Sequence, residues 1–302
     1  MSRVFLRARE RELWLGDRPL LMGILNATPD SFSDGGAYAT LDARVARAEA
    51  LLDQGADIID IGGESNVTNR PAVDAAEEVE RVAPLVERVA ALGAFVSVDT
   101  YKPRVAEAAL AAGAHMVNDI SGLADPRLAE LCARTGAALV LMHTPVPPKT
   151  QDFDETRFGD VGIDVAAGVR ALMGRAREHG VADEQILVDP GPDFGKTPAQ
   201  TLAVLRDLAP LHALGRPILL PISRKDFIGA IVARRPKERD PATLAALAHG
   251  VEQGAHVFRL HDVAGAADFL AVRAMLRGEA ELAPGARVPD EVRREPPPPL
   301  PR

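Results

Sequence analysis

The sequence predicts an α/β barrel of eight parallel strands, and two observations support this fold class. The chain contains eight short runs rich in Val, Ile and Leu, and helical patterns separate them. Such continuous apolar runs are typical of strands that are buried on both faces in a parallel sheet covered by helices. Eight strands of this kind form a (β/α)8 TIM barrel, whose active site lies at the C-terminal ends of its strands.

Each apolar run ends in polar residues that could take part in chemistry. In chain order, these strand-end residues are Asn26, Glu64, Asp99, Asn118 with Asp119, His143, Asp189, Lys225 and His261. Because parallel strands of one barrel end on the same side, we expect these side chains to surround one opening.

Length and composition favour one barrel with small additions. The 302 residues are 47% hydrophobic and only 4% aromatic, so aliphatic packing must dominate a large core. A net charge of −8 argues against nucleic acid or an anionic membrane as partner. The single cysteine, Cys132, excludes an intramolecular disulfide. No apolar stretch reaches the ~18 residues of a membrane span. We therefore expect a soluble, cytoplasmic protein.

The additions lie at the two ends of the chain. Residues 3–19 alternate apolar and polar side chains around Gly16-Asp17, which predicts a short N-terminal hairpin that plugs the bottom of the barrel. We expect one barrel domain over residues 1–283. The tail, residues 284–302, ends in EPPPPLPR and is predicted to be disordered, because this composition cannot form a core.

Acidic and amide side chains at the strand ends predict a pocket for a polar ring. Asp99, Asn118, Asp119 and Asp189 follow buried runs, and together they would accept hydrogen bonds from a heterocycle with many N–H donors. Alternatively, individual members of this set cap helices or bridge loop backbones. Met142 could form the floor under a planar ligand, or it could simply be a core residue.

Cationic side chains follow the seventh and eighth strands, where such barrels commonly bind phosphate. Lys225 and Arg259 suit a diphosphate group, and His261 lies beside Arg259 in the sequence. The alternative for Arg259 is an ion pair with an acid such as Asp262. Asn26 could provide one oxygen ligand to Mg²⁺, an ion that often takes few protein ligands together with phosphate oxygens.

Several motifs resemble the dihydropteroate synthases, in that family's order and spacing, over roughly residues 20–275. The most specific is MGILNATPDSFSDGG, residues 22–36, and GADIIDIGGES, residues 55–65, resembles the second signature. The others are SVDTYKPRVAEAALAAGAHMVNDISG (97–122), DPGPDFGKTP (189–198), SRKDFIG (223–229) and RLHDV (259–263).

The resemblance implies a transferase that joins a dihydropterin-methyl diphosphate to para-aminobenzoate and releases pyrophosphate. The small-molecule substrates would be its partners, with Mg²⁺ as cofactor. The family also implies a homodimer, and the apolar faces of the helices predicted over residues 241–276 could form its interface. The implied pterin-binding residues are Asp99, Asn118, Asp189 and Lys225, and Met142 could join them from its strand end. The implied diphosphate-binding residues are Asn26, Arg259 and His261, with Asn26 also on the metal. Phe32, Phe194 and Asp226 would lie on the aminobenzoate side. The implied catalytic residues are Asp34, Lys225, Arg259 and His261.

The sequence departs from the family pattern on the aminobenzoate side. Asn66-Val67-Thr68-Asn69 separates Glu64-Ser65 from Arg70-Pro71, so the roles of Thr68 and Arg70 stay open. Asp226 replaces a small hydroxyl residue, and two unit charges ~4 Å apart repel by about 1 kcal/mol or more. Asp226 could instead pair with Arg224 or Arg70, or cap the next helix. Two other functions therefore remain open: a pterin-binding paralogue without synthase activity, and a transferase with a different amine acceptor. A corrinoid-dependent methyltransferase of related fold fits the first-loop motif less well.

Overall fold

A computed structural model describes residues 3–28, 40–65 and 71–294 of the chain. Ten strands occur in this part, and the first two form a separate antiparallel pair. The strands are β1 (Val4–Ala8), β2 (Arg11–Leu15), β3 (Leu20–Asn26), β4 (Ile58–Gly62), β5 (Phe95–Asp99), β6 (Met116–Asp119), β7 (Ala138–Met142), β8 (Ile186–Asp189), β9 (Leu219–Leu220) and β10 (Val257–Leu260).

Strands β3 to β10 form the predicted parallel barrel. Their order is β8-β7-β6-β5-β4-β3-β10-β9, and every neighbouring pair is parallel. A parallel bridge between Val188 of β8 and Ile218, just before β9, closes the ring. The predicted (β/α)8 TIM barrel is therefore confirmed, and the C-terminal ends of its strands share one face, which we call the mouth.

Helices cover the outside of the barrel. They are α1 (Leu41–Asp53), α2 (Ala75–Ala91), α3 (Pro103–Ala111), α4 (Arg127–Thr135), α5 (Val161–Glu178), α6 (Pro198–Arg206), α7 (Ala209–His212), α8 (Asp226–Val232), α9 (Asp240–Glu252) and α10 (Val263–Leu276). The start of α6 illustrates their local signals, because Thr197 caps it and Pro198 occupies its first turn. No helix in the described ranges is long and apolar enough to cross a membrane.

The N-terminal hairpin exists, but its turn is not where the sequence pattern placed it. Ala8 pairs with Arg11, so the chain turns at Arg9-Glu10, and the expected Gly16-Asp17 turn is wrong. Arg9 has a φ of 59°, and its guanidinium donates to the carbonyls of Leu110 and Ala114 at 3.0 Å each. These long-range bonds to the barrel hold a turn that lacks a glycine.

The hairpin fills the bottom of the barrel, as predicted. Its apolar side chains form one buried cluster with residues from the interior of the barrel strands. The cluster contains Leu6, Ala8, Leu15, Met22, Ile58, Phe95, Met116, Ala138, Val140, Leu187, Leu219 and Val257. A larger aliphatic core lies between the strands and the surrounding helices. Since the bottom is closed, the mouth is the open end where strand-end side chains can meet a ligand.

The last described residues add little to this fold. Residues 284–289 are exposed, and a short 3-10 turn follows at Asp290–Val292. Residues 295–302 lie outside the described ranges, and the disorder of residues 284–302 stays a prediction.

Candidate active site

Arg259, on β10, contacts acids from two other strands of the barrel, β4 and β5. Its Nε donates to Asp60 at 2.6 Å, and its Nη2 donates to Asp99 at 2.7 Å. Asn118 on β6 donates from Nδ2 to the same Asp60 carboxylate at 3.3 Å. The structure thus brings together the predicted residues Asp99, Asn118 and Arg259. The alternative ion pair of Arg259 with Asp262 is not formed, because Arg259 pairs with Asp60 and Asp99 inside the barrel.

Two acceptor atoms in this cluster have no hydrogen-bond partner within the described part of the chain. They are Oδ1 of Asp60 and Oδ1 of Asn118, and both are buried. A buried polar atom without a partner is costly, so such atoms are usually satisfied by water or a ligand. Both atoms are acceptors, and a ring that carries N–H groups would satisfy them.

Burial makes two carboxylates of the mouth, those of Asp99 and Asp189, easier to protonate. It raises the pKa of Asp99 to about 7, although Arg259 opposes the change. Burial also raises the pKa of Asp189 to about 6, although the backbone N–H of Gly191 donates to it at 2.7 Å. Burial alone would lower the pKa of Arg259, but its ion pairs with Asp60 and Asp99 raise it. The guanidinium therefore stays charged.

Lys225 and Phe194 form a second contact at the rim of the mouth. The Lys225 Nζ lies 4.5 Å from the centroid of the Phe194 ring, within the range of a cation–π interaction. Burial lowers the pKa of Lys225, and attraction to Asp193 and Asp189 partly offsets this effect. The predicted pterin-side cation and the predicted aminobenzoate-side aromatic residue are therefore direct neighbours.

His261 follows β10 and is held by Ser223, which follows β9. The Ser223 Oγ accepts the backbone N–H of His261 at 3.1 Å and lies 2.9 Å from its ring Nδ1. Burial lowers the pKa of His261 to about 3, with added repulsion from Arg224, Arg259 and Lys225. The imidazole is neutral at physiological pH.

Asp226 has a partner that the sequence did not suggest. It is the first residue of α8, 76% of its side chain is exposed, and its carboxylate accepts a hydrogen bond from Arg239 at 2.9 Å. The expected pair with Arg224 is wrong, because Arg224 donates twice to Asp240 at 2.7 and 2.8 Å. Asp226 does not cap the helix either, since Asp193 accepts the N–H of residue 226 at 2.6 Å.

For the other predicted residues, the structure gives a position on a strand or a role in a turn, or the residue lies outside the described ranges. Asn26 ends β3 opposite Gly62, and Met142 ends β7 opposite Asp189 with its side chain fully buried. Asp34, Phe32, Thr68 and Arg70 lie outside the described residues. Asp119 accepts bonds from Ser121 and from the N–H of Leu123, so it stabilises its own turn.

Glu64 is a strand-end residue that the structure assigns to the loops. Its carboxylate pairs with Lys102, lies 3.2 Å from Lys149, and accepts a hydrogen bond from Tyr101 at 3.1 Å. Lys102 also pairs with the buried Glu78 at 2.6 Å. These residues join the loops after β4, β5 and β7 to α2.

Two residues near the site were not predicted. Asp60 could have been suspected, because it is a charged residue inside an apolar strand run. Lys196 is only 1% exposed, and it donates to the carbonyls of Gly191, His143 and Phe194 at 2.9, 3.2 and 3.2 Å. Burial lowers its pKa to about 7. The sequence around it offers no clear signal, because a lysine in a glycine-rich loop is ordinarily exposed.

Comparisons with known proteins agree on one family. The profile described as "Pterin binding enzyme" matches residues 22–261. A dihydropteroate synthase from Bacillus subtilis is 42% identical over 249 residues, which cover 82% of this chain and 85% of the relative. A probable bifunctional folylpolyglutamate synthase/dihydropteroate synthase from Halobacterium salinarum is 45% identical over 250 residues, 83% of this chain but 30% of that protein.

Comparison with solved structures identifies the same family. The dihydropteroate synthase of Xanthomonas albilineans, solved with 4-aminobenzoic acid, superposes with a TM-score of 0.83 at 39% identity and covers 91% of this chain and 99% of its own. The barrel and its mouth are therefore those of a pterin-binding enzyme. Within that class, the chain belongs to the dihydropteroate synthase family, a family of transferases.

Proposed function

We propose that the mouth of this barrel binds a dihydropterin-methyl diphosphate and para-aminobenzoate and joins them into dihydropteroate with release of pyrophosphate. The observation that supports this most directly is the pair of unsatisfied, buried acceptors in the described mouth, Oδ1 of Asp60 and Oδ1 of Asn118. A pterin ring offers several N–H donors to such atoms. Asp189 and Asp99 add further carboxylate oxygens, and the buried Met142 would lie beneath the ring.

Bond breaking at the pterin methylene would depend on charge. The C–O bond to the diphosphate breaks with its electron pair leaving on oxygen, and the amine lone pair forms the new C–N bond. The amine then releases one proton. Arg259, His261 and Lys225 would bind the departing diphosphate or offset its charge, while the carboxylates stabilise positive charge at the methylene. An aryl amine is already a nucleophile, so positioning and electrostatics suffice.

The aminobenzoate side of the mouth carries less unpaired negative charge than the presence of Asp226 alone suggests. Its carboxylate is paired with Arg239, whose side chain also donates to the carbonyls of Arg224 and Lys225 at 2.9 and 3.0 Å. The paired guanidinium weakens the repulsion that a bound carboxylate would meet. This pairing removes the main reason to expect a different amine acceptor, and Phe194 beside Lys225 provides a flat, cationic edge for an aminobenzoate.

We propose Mg²⁺ as the metal of the reaction, with Asn26 as a protein ligand. The described residues contain no cluster of three or more His, Cys, Asp or Glu side chains that could bind a metal ion by themselves. A single amide oxygen fits an ion that takes its other ligands from diphosphate oxygens and water. When bound, the ion would neutralise leaving-group charge. Loss of activity in a chelator, restored by added Mg²⁺, would support this assignment.

One assay tests the whole proposal. Purified protein is incubated with the dihydropterin diphosphate, para-aminobenzoate and Mg²⁺, and dihydropteroate and pyrophosphate are quantified. Equal amounts of both products are expected. Asn118→Ala should lower affinity for the pterin. Arg134→Ala is the control, because its side chain is 64% exposed in the last turn of α4, away from the mouth, and the change should leave turnover unchanged. Tight pterin binding without any product would contradict the proposal.

We further propose a homodimer in the cytoplasm. The single cysteine is free and buried, which fits a reducing compartment. An open apolar groove of about 650 Å³ lies along α9 and α10, lined partly by Leu244, Phe269, Val272 and Leu276. Leu276 is 83% exposed, and exposed apolar surface of this kind is typical of an association face.

A further inference from the structure

We propose that Ser223 is a positioning residue that fixes the His261 imidazole in the tautomer with its proton on Nε2. The two residues meet at the mouth from adjacent strands, since β9 pairs with β10. The significance for catalysis rests on the proposed function, in which His261 contacts the diphosphate. The tautomer itself is a property of the free protein.

The Ser223 hydroxyl has one hydrogen and two neighbours on His261. Its oxygen accepts the backbone N–H of His261 at 3.1 Å, and that bond has a defined direction because the backbone nitrogen is always the donor. The same oxygen lies 2.9 Å from Nδ1. Ser223 is 8% exposed, and the described residues offer its single proton no other acceptor than Nδ1. Donation to Nδ1 therefore satisfies both groups.

The opposite tautomer would leave a polar group unsatisfied. If Nδ1 carried the proton, the serine oxygen would accept twice and its own proton would have no partner in the described part of the mouth. A buried donor without a partner has lost its hydrogen bonds to water and gained none in the protein, which disfavours this tautomer. The ring is neutral, since burial and the neighbouring cations lower the pKa of His261 to about 3. A neutral imidazole that accepts on Nδ1 carries its hydrogen on Nε2.

This tautomer gives the mouth a donor suited to an anion. Nε2–H lies on the opposite edge of the ring from Ser223 and would donate to a diphosphate oxygen. The other tautomer would present a lone pair to that oxygen and repel it. Ser223 would therefore act through His261, and its own hydroxyl need not contact substrate.

Nitrogen-15 NMR of the ligand-free protein with labelled histidine tests the tautomer. His261 signals are assigned by comparison with His261→Asn. We expect a pyrrole-type Nε2 and a pyridine-type Nδ1 in the wild type. Ser223→Ala should shift both signals toward averaged values, and Ser223→Thr, which keeps a hydroxyl, should restore them. Ser97→Ala is the matched control, because it also removes a buried serine hydroxyl but should leave the signals unchanged.

Pyrophosphate titration with Mg²⁺ measures the consequence. We expect Ser223→Ala to weaken binding at least about twofold, because averaged signals mean that only about half of the molecules carry the binding-competent tautomer, and Ser223→Thr to recover most of it. A wild-type spectrum with the proton on Nδ1 would overturn the inference. If the spectrum is as expected but His261→Asn binds pyrophosphate as tightly as wild type, the tautomer assignment stands and the diphosphate role of His261 is wrong.

Discussion

The guanidinium of Arg259 holds two buried carboxylates and is itself only 17% exposed. Removing one partner of a buried ion pair leaves an uncompensated charge, which costs about 3–5 kcal/mol. We therefore expect Arg259→Met to lower the free energy of unfolding by about 3 kcal/mol, measured by urea denaturation, and to abolish turnover. The double variant with Asp60→Asn should recover part of the stability. Strictly additive effects would show that the two side chains do not interact.

Asp189 provides a test of the electrostatics of the mouth. Its pKa is raised from 3.8 to about 6 in the folded protein by burial. The folded state thus holds a proton that the unfolded chain releases, so stability falls as pH rises from about 4 to about 6. Asp189→Asn has no carboxyl group to titrate here. Its free energy of unfolding relative to wild type should therefore rise by on the order of 2 kcal/mol from pH ~4 to pH ~7. Urea unfolding of both proteins at the two pH values measures it. A gain independent of pH would contradict the assignment.

Among the loops, the loop after β7 contacts the chain just after β4 through Lys149. Lys149 has a φ of 65°, donates to the carbonyl of Ser65 and lies 3.2 Å from the Glu64 carboxylate. A hydrogen bond to a charged group contributes about 1.5–3 kcal/mol. We expect Lys149→Met to increase amide exchange of residues 144–150 and 71–74 about tenfold. Lys237→Met, at an exposed position, is the control, and equal exchange in both variants would contradict the contact.

At the scale of the whole molecule, the tail should be dispensable. Residues 284–289 are exposed and follow the last helix of the barrel. We expect a chain that stops after residue 283 to keep the thermal midpoint and the turnover of the full chain. A drop of more than a few degrees would mean that residues 284–302 pack on the barrel.

The association state is the second property at this scale. A charge on an exposed apolar face opposes association, because the carboxylate would have to be buried without a partner. We expect Leu276→Glu to convert a dimer into a monomer in sedimentation velocity. Ile163→Glu introduces the same charge at a residue that is 60% exposed on α5, and it should leave the dimer intact. A monomeric wild type would contradict the proposed homodimer.

Local sequence patterns predicted much of this molecule because they report burial and strand direction. Apolar runs located all eight barrel strands, and the residues that end or follow them include Asp99, Asn118, Asp189 and His261. The patterns failed where a contact between residues far apart in the sequence determines the local structure. The hairpin turns at Arg9, which bonds to carbonyls more than 100 residues away, and Asp226 pairs with Arg239 from a separate turn.

The sequence by itself determined the fold class, the family and which strand ends carry polar groups, because these follow from periodicity and from motifs contiguous in the chain. Only the tertiary structure decided which of those groups touch. Asp60 and Arg259 are 199 residues apart in sequence yet 2.6 Å apart in space, and Lys196 is buried because three loop carbonyls converge on it. Such contacts depend on closure of the barrel, which brings the ends of distant strands together and excludes water from them.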